Sequence, residues 1–184
     1  KENPRFVFML HNSLIHADIL FKAFPSLKML QMIRHPSDVA HSWYLKGYGQ
    51  YFRENPRVTT FQAAFPFETT LTIKWKGHIL PYYVVGWEKK YLSLCEMDRV
   101  IHLVTRLMKR EIEGFESLSS KYKKQILIIP FEELVADTKD NLEKICNFLG
   151  TEQTLYTPIT IQKEQERFPR LLNKQDRMKK RDDI

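Results

Sequence analysis

The sequence has 184 residues, enough for one domain, and its 43% hydrophobic and 28% charged residues are the mix of a chain that buries a core. No apolar run approaches the roughly 18 residues that span a bilayer, and no signal-peptide pattern opens the chain. A net charge of +7 favours anionic partners such as phosphorylated cofactors, acidic lipid, nucleic acid or polyanionic glycans, although a solvated basic surface is the plainer reading.

Phe6 to Leu10 (Phe-Val-Phe-Met-Leu) is a continuous apolar run, which predicts a strand buried on both faces. Beginning at Lys1 with a strand pattern so soon after, the chain reads as a cut through a domain. Ala17 to Phe24 predicts a short helix stopped by Pro25, and Lys28 to Ile33 a second strand. Pro36 stands where the first turn of a helix tolerates a missing N–H, and that helix runs towards Tyr44, before Gly47 and Gly49. Residues 54–81 carry Pro56, Pro66 and Pro81 among aromatics and threonines and read as a loop or lid insertion.

From Tyr83 the helical pattern returns. Val100, Leu103, Val104, Leu107, Met108 and Phe115 are spaced for one face of a long helix. Gln125 to Ile129 predicts a third buried strand closed by Pro130. Thr138 is the expected cap of a following helix with Leu142, Ile145, Cys146 and Leu149 on its apolar face and Gly150 as its stop. Cys95 falls in a helical stretch; neither cysteine has metal-ligand spacing, and two thiols make no disulfide framework, so a reducing compartment is preferred. Residues 163–184 form a basic tail, whose Lys174 to Arg181 stretch is expected to be exposed.

Buried strands alternating with helices predict an α/β fold, a parallel sheet covered on both faces. In such folds ligands bind beyond the carboxyl ends of the strands, and His11, Arg34 and Phe131 each follow a predicted strand. Within Arg34-His35-Pro36-Ser37-Asp38-Val39-Ala40-His41-Ser42, a guanidinium fork and a hydroxyl two turns along a helix can grip one phosphate. The helix N-terminus would add free N–H groups. The plainer alternative is a capped surface helix with Arg34 and Asp38 paired across one turn.

The pattern strand-Arg-x-Pro-x-Asp-Val-x-x-Ser-x-Tyr resembles the 3′-phosphate motif of sulfotransferases that use 3′-phosphoadenosine 5′-phosphosulfate (PAPS). By that resemblance Arg34 and Ser42 would hold the donor's 3′-phosphate. Ile128-Ile129-Pro130-Phe131-Glu132-Glu133-Leu134, followed by the helix ending at Gly150, is similar to a second family segment. There Phe131 stands in place of the tyrosine that lies against adenine, keeping the stacking face and losing the hydroxyl. Phe8-Met9-Leu10-His11 resembles the strand ending in the family's catalytic histidine, with Met9 where many cytosolic members have lysine. His11 would then be the base, and His16 is its rival. No glycine precedes Gly47, so the glycine-rich phosphosulfate loop of the family is not in this chain.

The resemblance implies residues 1–184 as one partial domain of the P-loop NTPase-like sulfotransferase fold. Its activity would move a sulfuryl group from PAPS to a hydroxyl or amine and leave 3′,5′-ADP, with no metal in the scheme and slow or absent turnover without that loop. The acceptor would be a small molecule or carbohydrate, the compartment cytoplasmic or, for a eukaryotic chain, the Golgi lumen. Trp75, Tyr82, Tyr83 and Trp87 could wall an acceptor pocket or belong to the core. The rival functions are a P-loop kinase or NTPase fragment and a non-catalytic binder of nucleotides or polyanions. RNA binding is disfavoured because the basic residues are not interleaved with aromatics.

Overall fold

The computed structural model describes residues 6–49 and 72–167. A 3₁₀ turn, Ser13–His16, leads into α1 (Ala17–Ala23), which ends before Pro25. Strand β1 (Met29–Ile33) follows, then α2 (Pro36–Leu45), with proline in its first turn where an N–H would have no partner. A hairpin, β2 (Thr72–Trp75) and β3 (His78–Pro81), turns at Lys76 and Gly77. Both turn residues have positive φ, the two-residue geometry whose twist matches the strands it joins. After a second 3₁₀ turn (Tyr82–Val84) come α3 (Glu88–Ser93), α4 (Glu96–Ser117) and α5 (Ser120–Lys123). Strand β4 (Ile126–Pro130), α6 (Phe131–Ala136), α7 (Thr138–Leu149) and α8 (Thr157–Arg167) complete the order.

β1 and β4 pair in parallel, Met29 opposite Ile126 and Ile33 opposite Pro130. The strand ends are tied at the other extreme too. Gln125 Nε2 donates to the carbonyls of Pro25 and Leu27 at 2.9 Å, and Lys28 Nζ donates to the carbonyl of Phe148 near the end of α7 at 2.6 Å. The α/β expectation therefore holds as a parallel pair flanked by helices, with one amendment. Met29, Gln31 and Ile129 are buried, but Met32 is 56% exposed and Leu30 and Ile128 are open as well, so the covering is one-sided among the described residues.

Helix α4, about 33 Å long at 1.5 Å per residue, is the spine of the molecule. Its apolar stripe of Val100, Leu103, Val104 and Leu107 is buried as the spacing predicted. The amino-terminal half packs on α2 through Ala40 and on Leu80, Val84, Trp87 and Tyr91. Its carboxyl-terminal half lies against the Ser13–His16 turn, beside a cluster of Leu14, Ala17, Phe21, Met29 and Leu118. Contact with that turn is backbone-close: a Cβ on Gly114 would fall 2.3 Å from the Leu14 carbonyl oxygen. Arg99, 1% exposed, donates to the carbonyls of Tyr91, Gly49 and Leu92 and so knots α3, α4 and the end of the α2 loop together.

Several expectations are corrected. Phe6 to Leu10 is no strand: all five residues are exposed, because among the described residues no strand lies beside them to take their hydrogen bonds. Thr138 does not cap α7; Asp137 holds the cap position without a side-chain bond, and Thr138 Oγ1 turns back to the Val135 carbonyl at 3.3 Å. Gly150 does end that helix, at φ 69°. Cys95 precedes α4 rather than lying inside a helix, its thiol 3.1 Å from Asp98 Oδ2. Of the 54–81 stretch, residues 54–71 lie outside the described residues, and its last ten residues are the hairpin rather than irregular chain. Of the basic tail, residues 163–167 are the end of α8, and Lys174 to Arg181 lie outside the described residues.

Candidate functional site

The register of the parallel pair decides which side chains meet. Because Ile33 is opposite Pro130, the next residues, Arg34 and Phe131, leave the two strands side by side at their carboxyl ends. The Arg34 guanidinium carbon stands 5.4 Å from the centroid of the Phe131 ring, within reach of a cation–π contact. Arg34 Nε is buried and has no hydrogen-bond partner. A buried donor left unmatched carries a desolvation cost of about 1–3 kcal/mol, which a bound acceptor would relieve.

Glu132 completes this corner. Its Oε1 accepts from the His35 N–H at 2.9 Å, so the first residue of α6's acidic turn reaches across to the start of α2. The Ser37 N–H donates to His35 Nδ1 at 3.3 Å, and Pro36 has no N–H at all. Two of the donors at the α2 N-terminus, the His35 and Ser37 N–H groups, are therefore already used. Ser42 lies six residues past Pro36, about 9 Å along the helix axis, and is half-buried. A phosphate shared by Arg34 and Ser42 would rest along the side of α2 rather than on its end.

His11 is set apart from this pair. It is exposed, at the beginning of the turn that Asn12 makes in the left-handed region (φ 53°), and neither a hydrogen bond nor an ion pair is seen to it among the described residues. His16, also exposed, ends the 3₁₀ turn at the N-cap of α1. Gln31, which the apolar strand pattern passed over, is buried at 8% exposure, and Ser13 Oγ donates to its Oε1 at 3.2 Å. Burial pushes the nearby Glu111 carboxyl up, partly offset by a hydrogen bond from the Gln31 side chain. Three of the four aromatics belong with the core: Trp87 is 9% exposed, its indole N–H bonded to the Tyr83 carbonyl, with Trp75 and Tyr83 packed against the same cluster. Burial pushes the Tyr83 and Tyr91 phenols up to about 12.

The sequence model of the sulfotransferase domain matches residues 1–181, almost the whole chain. The chain belongs to the sulfotransferase domain family. Neither the curated proteins nor the solved structures offer a match. For this sulfotransferase-domain chain, sulfuryl transfer is the chemistry that membership supports. Among the described residues of the sulfotransferase domain, no helix is long and apolar enough to cross a membrane, and no group of three or more histidine, cysteine or acidic side chains could hold a metal.

Of the four residues singled out in the sequence, the structure brings Arg34 and Phe131 together, places Ser42 along the adjoining helix, and leaves His11 on a separate turn. Sequence reasoning assigned no role to Glu132, Gln31, Glu111 or Gly114. A polar residue interrupting the apolar run Lys-Met-Leu-Gln-Met-Ile was the signal that could have found Gln31.

Proposed function

We propose that the chain is a sulfotransferase that uses PAPS, acting on a hydroxyl or amine acceptor and releasing 3′,5′-ADP. The observation that carries this reading is the Arg34–Phe131 pair, with Arg34 Nε buried and unmatched at the ends of two paired strands. Such a corner offers a fixed cation for a phosphate beside an aromatic face for a base, the two features a 3′-phosphoadenosine group would use. Together with the parallel pair and its helices, it supports a P-loop NTPase-like architecture.

Arg34 and the Ser42 hydroxyl would hold the 3′-phosphate along α2, and the open face of Phe131 would carry the adenine. Bound PAPS supplies an activated sulfuryl group, whose bond to the 5′-phosphate breaks as the acceptor bonds to sulfur. Anchoring the nucleotide away from the reacting atoms turns binding energy into orientation. Glu132 acts on this arrangement indirectly: by holding the His35 N–H it keeps the start of α2 against α6, so the cation and the ring stay in register. His11, exposed on its turn, would take the proton from the acceptor hydroxyl.

Calorimetric titration with 3′,5′-ADP and with 5′-AMP tests the donor site. The 3′-phosphate is expected to tighten binding by on the order of ten- to a hundred-fold through a charge-assisted contact. Arg34→Ala should erase that difference. Equal, weak binding of both nucleotides by a folded protein would sink the reading.

A further inference from the structure

The buried amide of Gln31 stands where strand periodicity asks for an apolar side chain. β1 turns Met29 and Gln31 towards the covered side, and Met29 there joins the core with Leu14 and Phe21. A glutamine at such a position destabilises the fold unless its amide is bonded. Its oxygen is bonded. Oε1 accepts from the Ser13 hydroxyl at 3.2 Å, and a hydrogen bond from the same side chain partly offsets the rise that burial gives the Glu111 carboxyl on α4. The result is a polar brace between β1 and the turn that carries His11, with Glu111 of α4 beside the same amide.

The same turn is fastened in three further ways. Asn12 is in the left-handed region and its carbonyl accepts from the Ile15 N–H at 3.2 Å. Leu14 and Ala17 are buried, and the Leu14 carbonyl presses on Gly114, one helical turn beyond Glu111 on α4. His11 is thus two residues from a tethered point while its own ring stays exposed. Gln31 also precedes Arg34 by three strand positions, roughly 10 Å of chain, so the brace links the histidine turn to the element that ends in the donor cation.

We infer that Ser13, Gln31 and Glu111 are positioning residues that fix the His11 turn against β1, at a set separation from Arg34. The inference rests on the proposed role of His11 as base. Its mechanical part, that the brace sets where His11 sits, stands or falls separately.

The test uses the intact protein and two readouts. In proton–carbon NMR, the His11 ring signal, assigned by its loss in His11→Gln, should shift or broaden in Gln31→Met, a replacement of matching length. It should do the same in Ser13→Ala and Glu111→Leu. Glu111→Gln, which can still accept from the Gln31 amide, should leave it in place. Affinity for 3′,5′-ADP should stay within about two-fold in all four, because none touches Arg34 or Phe131. In turnover, followed as 3′,5′-ADP release from PAPS with phenol, sugar and amine acceptors, kcat of Gln31→Met should fall on the order of ten- to a hundred-fold. KM for PAPS should hold, and Glu111→Gln should keep the wild-type rate. An unmoved His11 signal in folded Gln31→Met and Ser13→Ala overturns the brace whatever the turnover. A moved signal with unchanged kcat overturns its link to catalysis, whereas failure of the wild-type protein to prefer 3′,5′-ADP over 5′-AMP counts against the donor reading alone.

Discussion

The two ends of the candidate site are held by different means. Arg34 and Phe131 are placed mainly by backbone: two parallel strands in fixed register deliver them side by side, with the Glu132 carboxylate as an added tie. The His11 turn is placed by side chains and a close backbone contact, through Ser13, Gln31 and the bare Cα of Gly114. Position fixed by strand pairing survives single substitutions, while position fixed by a few side-chain contacts is open to any one of them. The comparison teaches where this protein should be fragile.

The sharpest way to break it is Gly114→Val. The new side chain would collide with the Leu14 backbone, which has no rotamer to escape into, and overpacking of this kind costs about 3 kcal/mol at the upper end. A fall of several degrees in the thermal midpoint by calorimetry, with the His11 signal displaced, is the expected outcome. At the strand-held end, Phe131→Ala should leave the fold intact and weaken 3′,5′-ADP by about 2 kcal/mol, the scale of one base–aromatic stack. Phe131→Tyr should bind within a few-fold of the wild type. An unchanged affinity in the alanine variant would put the adenine elsewhere.

How much of this was legible in the sequence follows the same division. Periodicity located β1, the apolar stripe of α4 and β4, because those elements are dictated by burial patterns of their own residues, and Pro36 marked the start of α2. The Arg34–Ser42 spacing and Phe131 could be found by pattern, and pairing of the strands explains why two of them converge. Phe6 to Leu10 misled, because an apolar run reports the wish for burial, and among the described residues no partner strand lies beside it. The Gln31 brace and the Gly114 contact were illegible because each joins residues far apart in the chain, and neither partner is unusual alone. Thr138 failed as a cap because Thr, one residue past the cap position, found the carbonyl behind it instead.

Smaller effects sharpen the picture further. Ser42→Ala should weaken 3′,5′-ADP by about 1 kcal/mol, the worth of one ordinary hydrogen bond, and leave 5′-AMP untouched. A loss equal for both nucleotides would mean that the hydroxyl serves the helix and not the phosphate. Smallest is the pH effect of Glu111. Burial, its main cause, holds this carboxyl above its ordinary value of 4.5, with the Gln31 hydrogen bond in partial opposition. Its contribution to stability is therefore fully present below 4.5 and is lost as pH rises through the raised folded value. Glu111→Gln should melt higher than the wild type at pH 7, and the gap should close on acidification below 4.5. A gap that widened in acid would reverse the sign and place the carboxyl in a charged pair.

Arg99 carries a consequence for descent. Its guanidinium serves three carbonyls from two places in the chain, a task the single ammonium of lysine cannot share out in fixed directions. One of those carbonyls belongs to Gly49, where a Cβ would lie 2.4 Å from the Glu96 carbonyl oxygen. Arginine at one place and glycine at the other are therefore mutually dependent, and lineages derived from this chain should keep or lose the two together.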